Sequence, residues 1–526
     1  MIKNLLLFGA VLSSLISCKN SSKQEADLLV YNANVYTEND SMPKVKAFVV
    51  KDGKFQATGD STELSKKYSF KKVLNAEGKT IVPGLFDDHT HFFRFGLQQQ
   101  KVDLRGTTSF AEVVSRIVDF QNKKRTDFIT GRGWDQNDWA NKEFPTKDTL
   151  DKLFPDTPVA IGRIDGHALL ANQAALDKAG ITADTKIEGG EIQKKNGKLT
   201  GILIDNPKDV VGNAEPAPTL QEQANALLDA QKVCFSYGLT TVDDAGLEPE
   251  TIHLMDSLQK EGDLKIRIYA MVITSDKNLK EYLSKGPYKT DRLDVRSFKF
   301  YADGALGSRG AALKEPYSDR PGHYGALLSP VKYFEEVAKR VANSDFQLNT
   351  HAIGDSANAV VVKTYDRVLK NKENRRWRVE HAQIIDPQDF RYFSKNIIPS
   401  VQPTHATSDM DWAETRLGKE RMKGAYAYKT LLEQAGVIAL GTDFPVEHVS
   451  PFYTFYAAVA RKNLNHTPSG GFMPEQKLSR EETLKGMTIW AAYSNFEEDE
   501  KGSIEAGKFA DFVILDKDIM TCPEDE

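Results

Sequence analysis

Eight short apolar runs recur through the middle of the chain, and this repetition leaves few folds open. They are residues 85–88, 239–243, 266–272, 298–302, 347–350, 378–380, 398–401 and 438–441. Amphipathic stretches separate several of them. Strands alternating with helices predict an α/β protein with a parallel sheet, and eight such strands predict a (β/α)8 TIM barrel. The helical stretches carry end signals. In SPVKYFEEVAKRV (329–341), Ser329 is expected as N-cap, Pro330 at the first helical position, and Val331, Phe334, Val337 and Val341 along one face. Ser479 and Glu482 have capping-box spacing and open a helix expected to run through Trp490. Residues from about 100 to about 220 interrupt the alternation. A helix opened by Ser109 and Glu112, strands at 128–134 and 158–164, and a turn-rich 189–198 predict an insertion after the first barrel strand.

The two chain ends read differently. Residues 27–37 and 47–59 are strand-like, with Asp52-Gly53 between two apolar runs of the second, a strong hairpin signal. Residues 510–515 are another strand. A small β-sandwich built from 27–82 plus 500–526 is therefore expected, with the barrel at 83–499. Ahead of it, residues 5–16 form an apolar stretch of twelve, too short to span a bilayer but suited to a secretory signal. Leu15-Ile16-Ser17-Cys18 has the form of a bacterial lipobox. The expectation is a signal peptide at 1–17, lipidation of Cys18, a polar tether at 18–26 and a lipid-anchored place in the bacterial cell envelope. The other cysteines, Cys234 and Cys522, form no CxxC pair. A net charge of −5 gives no electrostatic reason for a nucleic-acid partner.

Barrels of this kind carry their active sites at the C-terminal ends of the strands. The first run ends in His89 and His91, whose spacing of two puts both side chains on one face, shared with Asp87. The fifth ends in His351, the sixth in His381 and the eighth in Asp443. Imidazoles and a carboxylate are the ligand types of zinc and similar divalent ions. Lys299 sits inside the fourth run, where a buried ammonium is costly. Either it reacts with CO2 to give a carbamate that bridges two metal ions, or it pairs with a carboxylate such as Asp443. Further out, His167 is read as a substrate hydrogen-bonding group or as a residue near Asp165 at a helix start. Trp134, in GRGWDQNDW, either lines the pocket or is structural. Arg309, in a Gly-rich segment after the fourth strand, is either a substrate clamp or a surface arginine.

These residues lie in motifs that run along nearly the whole chain after the tether: PGLFDDHTH, GRGWDQNDW, RIDGHALLAN, GLTTVDDAG, KFYADGALGSR, THAIGD, RVEHAQ, SVQPTH, GTDFPVE and KGSIEAGKFADFVILD. Together they resemble the amidohydrolase superfamily, and within it amidohydrolase family 3 of the YtcJ-like and N-substituted formamide deformylase-like kind. The resemblance implies a metal-dependent hydrolase of non-peptide C–N bonds acting on a small amide-type molecule. It implies His89, His91, His351, His381 and Asp443 as metal-site residues, holding one or two divalent ions, zinc foremost, with Lys299 N6-carboxylated and bridging. Thr442 stands where the family commonly has serine. Asp443 is expected as general base and then acid, with His381 and His167 stabilising the oxyanion. Two other readings are a non-catalytic ligand-binding envelope lipoprotein and a lactone or phosphoester hydrolase on the same centre.

Overall fold

The structure is a computed structural model and describes residues 23–526. The expected signal peptide, the lipidated Cys18 and the first part of the tether lie outside the described residues. The chain divides into two compact units, one running to Pro83 and taking in Asp499–Asp518, the other Gly84–Glu498 with Ile519–Glu526. The last eight residues, expected with the sandwich, therefore group with the larger unit.

The smaller unit is made of two four-stranded sheets. One runs in the order 54–59, 47–51, 24–31, 68–75, and the other in the order 512–515, 80–83, 34–36, 44–45. Val30 and Phe48 of the first sheet share a core with Val35 and Ile81 of the second. The hairpin at Asp52-Gly53 forms because both residues take positive φ, 51° and 73°, which matches the twist of the paired strands. The tether ends earlier than expected. Gln24, Glu25 and Ala26 pair in parallel with Tyr68, Ser69 and Phe70, so their backbone belongs to a sheet although two of the three side chains are polar and exposed.

In the larger unit, all eight apolar runs are strands. They are β1 (Leu85–Thr90), β2 (Leu239–Leu247), β3 (Arg267–Ile273), β4 (Leu293–Tyr301), β5 (Gln347–Ala352), β6 (Trp377–His381), β7 (Ile397–Val401) and β8 (Ala439–Leu440). They pair in parallel in this order. β8 is short, and the seam back to β1 is made by the residues after it. Asp443 N donates to His89 O and His91 N to Phe444 O, both at 2.8 Å. Asp87 strengthens the seam by accepting from Thr442 N at 2.8 Å and Thr442 Oγ1 at 2.6 Å.

The insertion between β1 and β2 is a six-stranded sheet with Val102, Val113, Ile117, Trp134 and Ile161 in its core. Ser109 caps its long helix, Phe110–Lys124, as expected. Two helix boundaries differ from the sequence reading. Pro330 is itself the N-cap of Val331–Ala342, because its ψ of 138° is still extended. The capping box at Ser479 and Glu482 forms, but that helix ends at Gly486 and a second runs Ile489–Ser494. Between them Thr488 takes φ −143° and ψ −97°, outside the helical region.

Candidate metal centre

The strand ends bring the predicted residues to one place. His89, His381 and Asp443 each offer a ligand atom, and these atoms lie within 4.8 Å of one another. His91 Nε2 is 3.3 Å and His89 Nε2 3.7 Å from Asp443 Oδ1. The His351 ring lies 4.5 Å from that of His381 between centroids, and the His89 ring 4.8 Å. Lys299, fully buried on β4, puts Nζ 3.1 Å from His89 Nε2 and 5.1 Å above the Tyr301 ring. It makes this contact rather than an ion pair with Asp443.

Two of these residues reach the cluster through unusual backbone. Arg378 and Glu380 of β6 share a face, so His381 in a regular strand would point the other way. Its φ of 72° turns the ring into the barrel mouth. Asp443 has φ 63°. Positive φ at a non-glycine residue costs about 1–3 kcal/mol, and such strain is concentrated at functional sites.

Burial sets the charge state of the site. Desolvation, helped by the Lys299 ammonium, pushes His89 well below the usual histidine range and His351 to about 3. Desolvation and the neighbouring imidazoles do the same to His381. These rings are neutral, as metal ligation requires. Burial alone would raise Asp443, but the imidazoles around it, His91 at 3.3 Å foremost, outweigh it and hold the carboxyl at about 2. Burial lowers Lys299 to about 8 against the pull of Glu380 and Asp443. Asp443 Oδ1, His351 Nε2 and His405 Nε2 are buried without hydrogen-bond partners. Neutral imidazole nitrogens and an anionic oxygen, converging and unsatisfied, suit a divalent cation.

Residues 72–526 match the amidohydrolase family. The chain belongs to that family. It is 32% identical over 497 residues to the putative amidohydrolase YtcJ of Bacillus subtilis, covering 92% of this chain and 93% of the relative. It is 26% identical over 529 residues to the N-substituted formamide deformylase of Arthrobacter pascens, covering 96% of each. A crystal structure of an uncharacterized metal-dependent hydrolase from Pyrococcus furiosus superposes with a TM-score of 0.77 at 27% identity, covering 94% of this chain and all of that one. This amidohydrolase is thus a hydrolase of a metal-dependent family, built on a TIM barrel, with a cluster of histidines and an aspartate able to hold a divalent ion.

The three residues read as substrate contacts have partners within the protein itself. Trp134 is fully buried in the insertion core, its Nε1 donating to Ile161 O at 2.9 Å and its ring packed on Trp139. It does not line a pocket, because a large aromatic on an inward-facing strand position completes the insertion's own core. Arg309 is taken up by Asp319, through Nε at 3.1 Å and Nη2 at 2.8 Å, and Arg416 bonds the same carboxylate. His167 is exposed and pairs with Asp205 at 2.8 Å, not with a cluster residue.

Two residues of the centre were missed. Glu380 accepts from His89 Nδ1 and is itself held by Arg378 Nε at 2.7 Å and Ser400 Oγ at 2.9 Å. His405 follows β7 on the helix Pro403–Asp409, with Nε2 3.7 Å from Asp443 Oδ2. The rule that strand ends carry the site, applied to SVQPTH, points to His405 as well.

Proposed function

We propose that this amidohydrolase cleaves a non-peptide C–N bond of the amide type, with Asp443 moving the proton. The observation that carries the reading is the Asp443 carboxylate. It stays charged in a buried site, bracketed by His91 at 3.3 Å on one oxygen and His405 at 3.7 Å on the other. The relative from Arthrobacter pascens, an N-substituted formamide deformylase, supports the bond class.

His89, His91, His351, His381 and Asp443 would hold the ion, and zinc fits a set of imidazole nitrogens with one carboxylate oxygen. When bound, a divalent ion supplies a Lewis acid and lowers the pKa of water from about 15.7 toward about 7. Asp443 takes up the water's proton as general base and returns it to the leaving nitrogen as general acid. His381 bears on the developing oxyanion only through the ion it would hold, because its Nδ1 is taken by Gln402 Oε1 and its Nε2 would be a ligand. Lys299 is proposed to react as a neutral amine with CO2, losing a proton to form a carbamate that would help to hold a second ion. Export and lipid anchoring through Cys18 in a bacterial envelope belong to the same reading, supported by the spacing of Leu15 and Cys18.

The test is Asp443→Asn in zinc-loaded protein, assayed on N-substituted formamides and other N-acyl amines. Turnover should fall about 10²–10⁴-fold with zinc still bound. Wild-type rates in that variant would sink the assignment. Cys18→Ser should release the protein from the membrane fraction, and unchanged membrane retention would dismiss the anchor.

A further inference from the structure

The imidazoles of the cluster fall into two kinds. Three are pinned from outside. His89 donates Nδ1–H to Glu380, His91 Nδ1 lies 3.1 Å from Ala245 O, and His381 Nδ1 lies 2.7 Å from Gln402 Oε1. His351 Nε2 has no hydrogen-bond partner among the described residues and lies 3.7 Å from Asp303 Oδ1. Pinning one ring nitrogen fixes the tautomer and aims the other, the arrangement that metal-ligating histidines almost always show.

His405 is different. Its ring makes no hydrogen bond among the described residues, and Nε2 is buried and unpartnered. It stacks on His381 at 5.8 Å with 22° between the planes. Nε2 stands between two carboxylates, 3.7 Å from Asp443 Oδ2 and 4.0 Å from Glu447 Oε1. Both distances are too long for hydrogen bonds. Glu447 is in turn held by Ser408 Oγ at 2.6 Å. Asp443 is only 6% exposed, and its Oδ1, on the side of His89 and His91, is also unpartnered.

The sign of the charge decides what fits beside His405. An oxyanion placed between Asp443 and Glu447 would be repelled by both carboxylates. An N–H group would be attracted by both. We propose that His405 and Glu447 form the leaving-amine subsite of this amidohydrolase. The reading rests on the amide hydrolysis proposed above. The nitrogen side of the substrate lies against His405 Nε2, with its one N–H directed to Glu447 Oε1 and the Asp443 Oδ2 side left open for the returning proton. When the C–N bond breaks, its electron pair stays on nitrogen and the proton held by Asp443 passes to that nitrogen. The amine then takes a second proton from solvent, and Glu447 faces the resulting ammonium. The subsite therefore suits an amide whose leaving nitrogen carries hydrogen and becomes an ammonium after cleavage, with the acyl group on the far side of the metal site.

The test uses the zinc-loaded full chain with benzylamine, benzyl alcohol and N-formylbenzylamine as probes. Calorimetry should show benzylamine binding about tenfold weaker to Glu447→Gln than to wild type, the order expected for a lost charge-assisted hydrogen bond. Benzyl alcohol should bind both alike, Glu447→Asp should restore the preference, and zinc content should stay unchanged in all. His405→Asn should keep its zinc while losing turnover of N-formylbenzylamine. Equal benzylamine affinity in wild type and Glu447→Gln, or no benzylamine binding to wild type, would overturn the subsite. So would loss of zinc from His405→Asn, which would make His405 a ligand. If N-formylbenzylamine is not turned over but amine binding still depends on Glu447, the subsite stands and the amide reading fails.

Discussion

Glu380 accepts a hydrogen bond from Nδ1 of His89, deep in the barrel and with both side chains fully buried. Burial alone would raise the Glu380 carboxyl, but the Arg378 guanidinium outweighs it and keeps the group charged. Arg378 is itself tied to Asp88 at 3.0 Å and to Asp243 at 2.5 Å. Glu380 thus orients the ring that faces the cluster through Nε2. Glu380→Gln should weaken zinc affinity by about 10–100-fold, as losses of such supporting partners do. Chelator competition reads this directly, and an unchanged affinity would remove Glu380 from the positioning of His89.

The carbamate proposed at Lys299 can form only from the neutral amine. Its pKa is lowered by burial to about 8, so the neutral fraction grows as pH rises through that value. Carbamate formation should therefore increase from pH 7 to pH 9. Carbon-13 NMR with labelled bicarbonate would follow it. A carbamate signal that is absent throughout, and absent also with zinc, would leave Lys299 as an amine.

Metal affinity should be less sensitive to acid than a cluster of ordinary histidines. Three imidazoles with unshifted pKa values would each give up a proton on binding below about 6.5, about a thousandfold loss per pH unit in all. His351 takes a proton only near 3, and His89 and His381 are also shifted down by burial. These three release no protons when zinc binds at pH 5.5–6.5. The measured loss should not exceed about tenfold per unit, and a thousandfold slope would contradict the burial argument.

Asp303 is a structural support beside the cluster. Its carboxylate accepts from Ala312 N, Ile353 N and Gly354 N at 2.8–2.9 Å. Asp303→Ala strands three buried N–H groups, each worth about 1–3 kcal/mol. Several kcal/mol of unfolding free energy should be lost, seen as a lower midpoint in urea. A change under about 1 kcal/mol would mean that these N–H groups find other partners.

Trp134→Phe tests whether the insertion core touches the chemistry. The variant loses the bond to Ile161 O and part of the ring. Stability should fall by about 1–3 kcal/mol while kcat/KM stays near the wild-type value. A large rise in KM would return Trp134 to the substrate.

Much of the architecture was legible because β-strands buried in a parallel sheet read as continuous apolar runs. All eight runs became strands, and β1, β5 and β6 carry the histidines their ends predicted. The side-chain partnerships were harder. Asp87 shares the parity of His89 and accepts from His89 N at 3.4 Å, yet its shortest bond is to Thr442, more than 350 residues away, where it closes the seam. Trp134 and Arg309 sit in polar, Gly-rich motifs that look exposed from local sequence alone, and long-range packing gave one to a core and the other to Asp319.

The amino-acid sequence alone determined the order of strands, the insertion after the first, and which strand ends bear imidazole or carboxylate, because period and residue type are local properties. Only the tertiary structure decided that His381 turns inward by a positive φ, that Glu380 rather than solvent holds His89, and that His405 joins Asp443 from a neighbouring strand end. Each of these depends on distances across a closed barrel. Such distances are set by how eight strands pack together, and no single segment contains them.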